Sequence, residues 1–270
     1  MPLKIGLVGC GAIGTEIARA IDSGKIEADL VAVCDHNPAT AIALIDSLQH
    51  KPVRARLEEL VSLSDLVVEA ASQKAVPAIA RATLETGKNL MIMSVGALAE
   101  LEFYHEVKKL AQEHGSRVYI PSGAISGLDG LKSASIGTIR KVTLTTTKNP
   151  KGLEGAPYIL EKKIDLEALK EPAVIFEGSA AEAVKAFPAN VNVAATLCLA
   201  AREGEVRVKI IADPHINVNR HEIVAEGDFG QIFTRVENVP SPKNPKTSYL
   251  AALSAIATLR SIVEPLKIGT

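Results

Sequence analysis

Apolar residues fall along this chain in two different rhythms. Over the first 121 residues, apolar runs at 3–8, 30–34, 66–71, 89–93 and 117–120 alternate with helical periodicity at 13–21, 38–48, 76–86 and 101–113. The runs are rich in Val, Ile and Leu without a polar alternation, the pattern of strands buried on both faces. Asn37 followed by Pro38 forms a cap and first-turn pair for the second helix. Strand and helix in strict alternation require right-handed crossovers and a parallel sheet covered by helices on each side. After Pro121 the rhythm changes. Residues 121–130 (PSGAISGLDG) carry three glycines and read as a loop or helix start. Runs at 141–148, 206–211, 222–227 and 231–238 have the β-branched, partly alternating character of antiparallel strands, with Gly227-Asp228 as a turn. Helical patterns at 179–186 and 190–201 interrupt them. Pro240, Pro242 and Pro245 read as a linker, and the last helix, from 246 to 263, is expected to return to the first domain.

The first strand runs into Gly9-Cys10-Gly11-Ala12-Ile13-Gly14, which opens the first helix. Each glycine has a mechanical purpose: Gly9 for the tight turn, Gly11 for close approach of a pyrophosphate, Gly14 for close helix packing. The backbone N–H groups around Ala12 and Ile13 and the positive end of the helix dipole suit phosphate oxygens. Asp35 ends the second strand twenty-one residues after Gly14, the place of a carboxylate that holds a ribose hydroxyl. No Arg or Lys follows in His36-Asn37-Pro38 to neutralise a 2′-phosphate, so NAD is expected, with NADP possible. The expected class is therefore α/β: an N-terminal Rossmann-type, doubly wound parallel sheet over 1–121 plus 246–270, and an α+β catalytic domain over 122–245.

Composition narrows the partners. Thirty basic residues against thirty-one acidic ones give a net charge of −1, so no basic surplus is available for nucleic acid or an anionic membrane. Three widely spaced cysteines, Cys10, Cys34 and Cys198, suit neither a disulfide framework nor a cysteine-rich metal site. Reduced thiols and the absence of a signal-like leader lead to a cytoplasmic expectation. The most apolar late segment, 249–259, is too short to span a bilayer.

Candidate chemistry lies in the second domain, where residues 213–223 gather two histidines, two asparagines and an arginine. Asn219 and His221, two apart on one strand, share a face. A histidine can exchange a proton near neutral pH, as removal of a hydride from an amine or alcohol carbon requires. No HxxxH or HxH spacing points to a metal. Lys148, ending the Thr146-Thr147-Lys148 run, is a candidate cation for a carboxylate.

Five segments together resemble the L-aspartate dehydrogenase family of NAD biosynthesis over essentially the whole chain: KIGLVGCGAIG, PSGAISGLDGL (121–131), FPANVNVAATLCLA (187–200), NRHEI with EGDFG (219–230), and NPKTSYLAALSAIATLR (244–260). The resemblance implies cofactor contacts at Ala124 and Asn190, an acid/base role for His221 and a substrate-side place for Asn219. It implies conversion of L-aspartate to iminoaspartate, with reductive amination of oxaloacetate by ammonia in reverse, feeding quinolinate and NAD synthesis. A related homoserine-dehydrogenase-like or dihydrodipicolinate-reductase-like enzyme, or a non-enzymatic NAD-sensing module, remains open at this point. A homodimer is expected, because an α+β domain with one uncovered sheet face favours pairing.

Overall fold

The computed structural model describes residues 2–188, 191–202, 204–241 and 244–269. They form two compact units, Met1–Pro121 with Ala252–Lys267, and Ser122–Ala251 with Ile268–Thr270.

In the first unit the elements run β1 (Leu3–Val8), α1 (Ala12–Asp22), β2 (Ala28–Cys34), α2 (Pro38–Ser47), β3 (Val53–Arg54), α3 (Leu57–Leu63), β4 (Leu66–Glu69), α4 (Val76–Leu84), β5 (Asn89–Ile92), α5 (Leu101–Glu113) and β6 (Val118–Tyr119). The six strands are parallel in the order β3-β2-β1-β4-β5-β6. Strand order reverses between β1 and β4, so the glycine loop after β1 stands at the switch point of the sheet. Ile5, Leu7, Val33, Leu66 and Val68 are fully buried against Ile17, Ala18 and Ile21 of α1. At α2 the Asn37 side chain accepts the Ala39 N–H at 3.0 Å, and Pro38 occupies the first turn. The short β3 and α3 have too few residues for periodicity to reveal them.

Glu69, the last residue of β4, is fully buried. Its Oε1 accepts the Ala71 N–H and the Ser94 hydroxyl, each at 2.8 Å, and its Oε2 accepts the N–H groups of Ser94 (2.9 Å) and Met93 (3.2 Å). Burial pushes its carboxyl upward, opposed by these hydrogen bonds. One side chain thus fastens together the segments that leave β4 and β5. Glu69→Ala takes the side-chain acceptor from Ala71 and Ser94, while the Met93 N–H keeps its 3.0 Å bond to the Glu69 backbone carbonyl, and is expected to cost about 3 kcal/mol. A thermal melt will register this as a fall of roughly 6–12 °C in Tm.

The second unit holds α6 (Leu128–Ala134), β7 (Ile139–Lys148), α7 (Pro157–Lys162), β8 (Ala173–Ser179), α8 (Ala180–Ala186), α9 (Val191–Ala201), β9 (Glu205–Ala212), β10 (Asn219–Gly227), β11 (Gly230–Asn238), β12 (Pro240–Ser241) and β13 (Asn244–Ser248). Its five-stranded sheet has the order β11-β10-β7-β9-β8. The sheet is mixed rather than antiparallel throughout, because β7 and β9 run parallel. The physical reason is the connection between them, which passes through α7, β8, α8 and α9 and so returns the chain in the same direction. β8 escapes a reading by alternation, since its register against β9 slips between Val174 and Phe176. The hairpin turn consists of Asp228 and Phe229, with Gly227 paired to Gly230. One face of the sheet is core: Val142 and Leu144 of β7, Val208 and Ile210 of β9, and Ile223 and Ala225 of β10 pack with Phe187, Ala194 and Leu197. The opposite face leaves Val174 and Phe233 exposed.

The proline-bearing segment expected as a linker contributes β12 and β13, which pair with each other. The last helix, α10 (Tyr249–Val263), begins at Tyr249 rather than 246. Its Ala255 and Leu259 are fully buried in the core of the first unit.

Candidate active site

The loop joining β1 to α1 presents backbone rather than side chains. Gly9 has φ +99°, and a Cβ there would collide with the Ala70 carbonyl; a Cβ on Gly14 would collide with the Gly9 carbonyl. Gly11 is exposed, and nothing lies within 4 Å of where its Cβ would stand. Gly11 is also the N-cap of α1, so no side chain caps the first turn, and no acidic residue lies there. The N–H end of an eleven-residue helix, preceded by an unobstructed glycine and followed by Ala12 and Ile13, fits the pyrophosphate of a dinucleotide.

Asp35 is packed onto this loop, its side chain 8% exposed. Its Oδ2 accepts the Cys10 N–H at 2.7 Å, and its Oδ1 accepts the Asn37 N–H at 2.8 Å and lies 3.1 Å from His36 Nδ1. The carboxylate therefore ties the end of β2 to the glycine loop. A cavity of about 1210 Å³ lies elsewhere in this unit. It is lined by Leu3 and Ala28 at the strand starts and by Ile262 of the last helix, opposite the end where α/β sheets hold their ligands.

In the second unit the candidate side chains assemble on the helix-covered face of the sheet. His221 of β10 is directly opposite Thr146 of β7, and Thr146 Oγ1 lies 3.0 Å from His221 Nδ1. Lys148 follows two residues after Thr146 and Asn219 two residues before His221, so all four share that face. Asn219 pairs in turn with Asn238 of β11. His221 and Lys148 are both buried. Burial, and then the charge on Lys148, push His221 down to about 3. Burial pushes Lys148 down to about 8. Two groups that resist protonation share one low-dielectric face, a setting that added negative charge would relieve.

Ala124 is buried, and its carbonyl accepts a hydrogen bond from Asn238 Nδ2 at 2.8 Å. Asn190 lies outside the described residues. Arg220, between Asn219 and His221, points to the other face and bonds Glu237 at 2.9 Å. His215 is exposed near Glu171. Burial pushes the Cys10 thiol up to about 12, with Asp35 adding to the effect, and raises Cys34 and Cys198 as well. Their thiolates are scarce near neutral pH.

Thr146 and Asn238 are site residues that chain spacing alone does not single out; cross-strand register does. Thr146 holds the ring of His221 through Nδ1, as donor or acceptor according to the tautomer. Thr146→Val keeps the side-chain shape and removes the hydroxyl. Steady-state kinetics is expected to give a roughly tenfold lower kcat with KM little changed, the loss of about one hydrogen bond.

A parallel sheet fitted to a dinucleotide, with an imidazole buried in the companion unit, belongs to the NAD(P)-dependent oxidoreductases. Residues 9–121 match the family model described as the NAD binding domain of homoserine dehydrogenase, and residues 129–262 match that of the aspartate dehydrogenase C-terminal region. An L-aspartate dehydrogenase of Methanosarcina acetivorans is 55% identical over 270 residues, covering 99% of this chain and 100% of its own. One from Methanococcus maripaludis strain C6 is 47% identical over the same shares. The crystal structure of aspartate dehydrogenase from Thermotoga maritima is similar with a TM-score of 0.77 at 28% identity, covering 100% of both chains. The chain belongs to the aspartate dehydrogenase family.

Proposed function

We propose that the protein oxidises L-aspartate with NAD(P)⁺ to iminoaspartate, which water hydrolyses to oxaloacetate and ammonia, and that His221 moves the proton. The observation that carries this reading is the buried cluster of His221, Thr146 and Lys148 on one sheet face. Gly9, Gly11, Ala12, Ile13 and Gly14 hold the pyrophosphate by backbone, and Asp35 faces the ribose, favouring a hydroxyl over a 2′-phosphate and hence NAD. Ala124 is assigned to the cofactor, as Asn190 is by resemblance. When bound, the nicotinamide accepts the Cα hydrogen with its electron pair.

Lys148 pairs with a substrate carboxylate, and Asn219 hydrogen-bonds the substrate beside it. The carboxylates of bound aspartate bring negative charge to this face. They raise the proton affinity of His221 from its low value in the empty site. With Nδ1 engaged by Thr146, Nε2 takes the proton that the amine releases as the carbon–nitrogen double bond forms. In the hydrolytic half, the same nitrogen guides the attacking water. Iminoaspartate is a precursor of quinolinate, which places the reaction in NAD biosynthesis.

Absorbance at 340 nm tests the reading. It should rise with aspartate and NAD⁺ and fall with oxaloacetate, ammonia and NADH; no change in either direction overturns it. A cytoplasmic place suits the three unpaired thiols. Among the described residues, no helix is long and apolar enough to cross a membrane. A homodimer formed through the sheet face bearing Val174 and Phe233 would cover those side chains, and sedimentation measures it directly.

A further inference from the structure

Asn238 ends β11 with only 3% of its surface exposed. Its Nδ2 donates to the Ala124 carbonyl at 2.8 Å, while its Oδ1 has no hydrogen-bond partner among the described residues. The Ala124 oxygen can only accept, so it fixes which way the amide faces, and the orphan atom is the acceptor. Two other buried polar atoms among the described residues lack partners, Thr83 Oγ1 and Ser116 Oγ. Both are hydroxyls of the first unit; Asn238 Oδ1 alone stands on the candidate site. Buried acceptors in native folds are nearly always satisfied, so one left open at a site points to a donor that arrives with a ligand.

The sheet register says what kind of donor. Asn238 is paired with Asn219, and Asn219 stands one step beyond the Arg220–Thr147 pair, next to Lys148. Lys148, Asn219 and Asn238 therefore form one row across β7, β10 and β11, spanning about 10 Å at the usual strand spacing. The adjacent row on the same face holds Thr146 and His221. A cation stands at one end of the row and an unsatisfied acceptor at the other. A molecule with a carboxylate at one end and an N–H group at the other complements both.

We infer that Asn238 is a substrate-specificity residue whose Oδ1 accepts an N–H of the substrate amino group, so that the row Lys148–Asn219–Asn238 selects amino dicarboxylates over dicarboxylates lacking the amine. This rests on the assignment of the His221 face as the substrate site. The amide joins two tasks: its donor holds the Ala124 carbonyl, and its acceptor reads the amine.

Calorimetry on the NADH-loaded protein separates these tasks, because aspartate cannot turn over there. The wild-type protein is titrated with L-aspartate and with succinate, its analogue without the amine. In Asn238→Ala, aspartate affinity should fall tenfold or more while succinate affinity stays within about twofold. Asn238→Asp keeps an acceptor and gives up the donor to Ala124, so it should retain the preference for aspartate. An equal loss for both ligands in Asn238→Ala, or loss of the preference in Asn238→Asp, overturns the assignment. If Asn238→Ala does not fold, Asn238→Asp decides alone. Wild-type protein that binds neither ligand overturns the functional reading itself, a result distinct from an equal loss in the variants.

Discussion

His221→Ala is expected to lower kcat for aspartate oxidation by about 10²–10⁴-fold while NADH affinity stays within about twofold. The magnitude is that of a lost general acid/base group. The split between turnover and cofactor affinity follows from the placement of His221 on the second-unit sheet, bonded to Thr146 and flanked by Lys148, with no part in the glycine loop. The variant should fold, because a buried imidazole already resists charging: burial and Lys148 push it down to about 3. Removing a group that is neutral through the working pH range strands no charge in the core. It does leave the Thr146 hydroxyl without its partner, a cost of about 1–3 kcal/mol that a melt will detect. Near wild-type kcat in His221→Ala removes the assigned role. A kcat loss larger than that of Thr146→Val, with the same sign, places the two residues in one device, the hydroxyl orienting and the imidazole transferring.

Local chemistry was more legible in the sequence than register. The strand, glycine loop and helix over 3–22 follow from an apolar run, three glycines at fixed spacing and a helical period, all of which act within a few residues. The same holds for the Asn37–Pro38 start of α2. His221 stands out in the sequence because polar residues crowd around it in an otherwise strand-like stretch. Its partner Thr146 lies seventy-five residues earlier, and only the antiparallel register of β7 with β10 brings them to 3.0 Å. Asn238 is hidden for the same reason: as a strand-end asparagine it looks like a turn residue until β11 is laid against β10. The parallel pairing of β7 with β9 depends on how the intervening α7, β8, α8 and α9 route the chain, and β-branched composition is silent on direction. Asp35 directly follows β2, but its bonds to Cys10 and Asn37 arise from two loops meeting, which spacing does not encode.

Affinity for succinate is expected to be flat below about pH 8 and to fall close to tenfold per pH unit above it, because Lys148 loses its proton there. The sign follows from the shift. Burial pushes this lysine down from 10.5 to about 8, so it is cationic at neutral pH and neutral in mildly alkaline solution, where an exposed lysine would still be charged. A dicarboxylate without an amine isolates the effect, since aspartate brings its own titrating amino group. Bound succinate raises the lysine's proton affinity in turn, so the limb visible in binding should be absent or displaced upward in the bound complex. Lys148→Met keeps the stem and removes the charge; it should weaken succinate at neutral pH by about 10²-fold and abolish the alkaline limb. The same substitution should raise the melting temperature at pH 7. A lysine held protonated 2.5 pH units below its ordinary range costs the fold roughly 3 kcal/mol, a penalty that methionine does not carry. Weaker binding together with greater stability is the signature of a charge kept in the core for its ligand. A variant that is merely misfolded loses both, and a surface lysine changes neither.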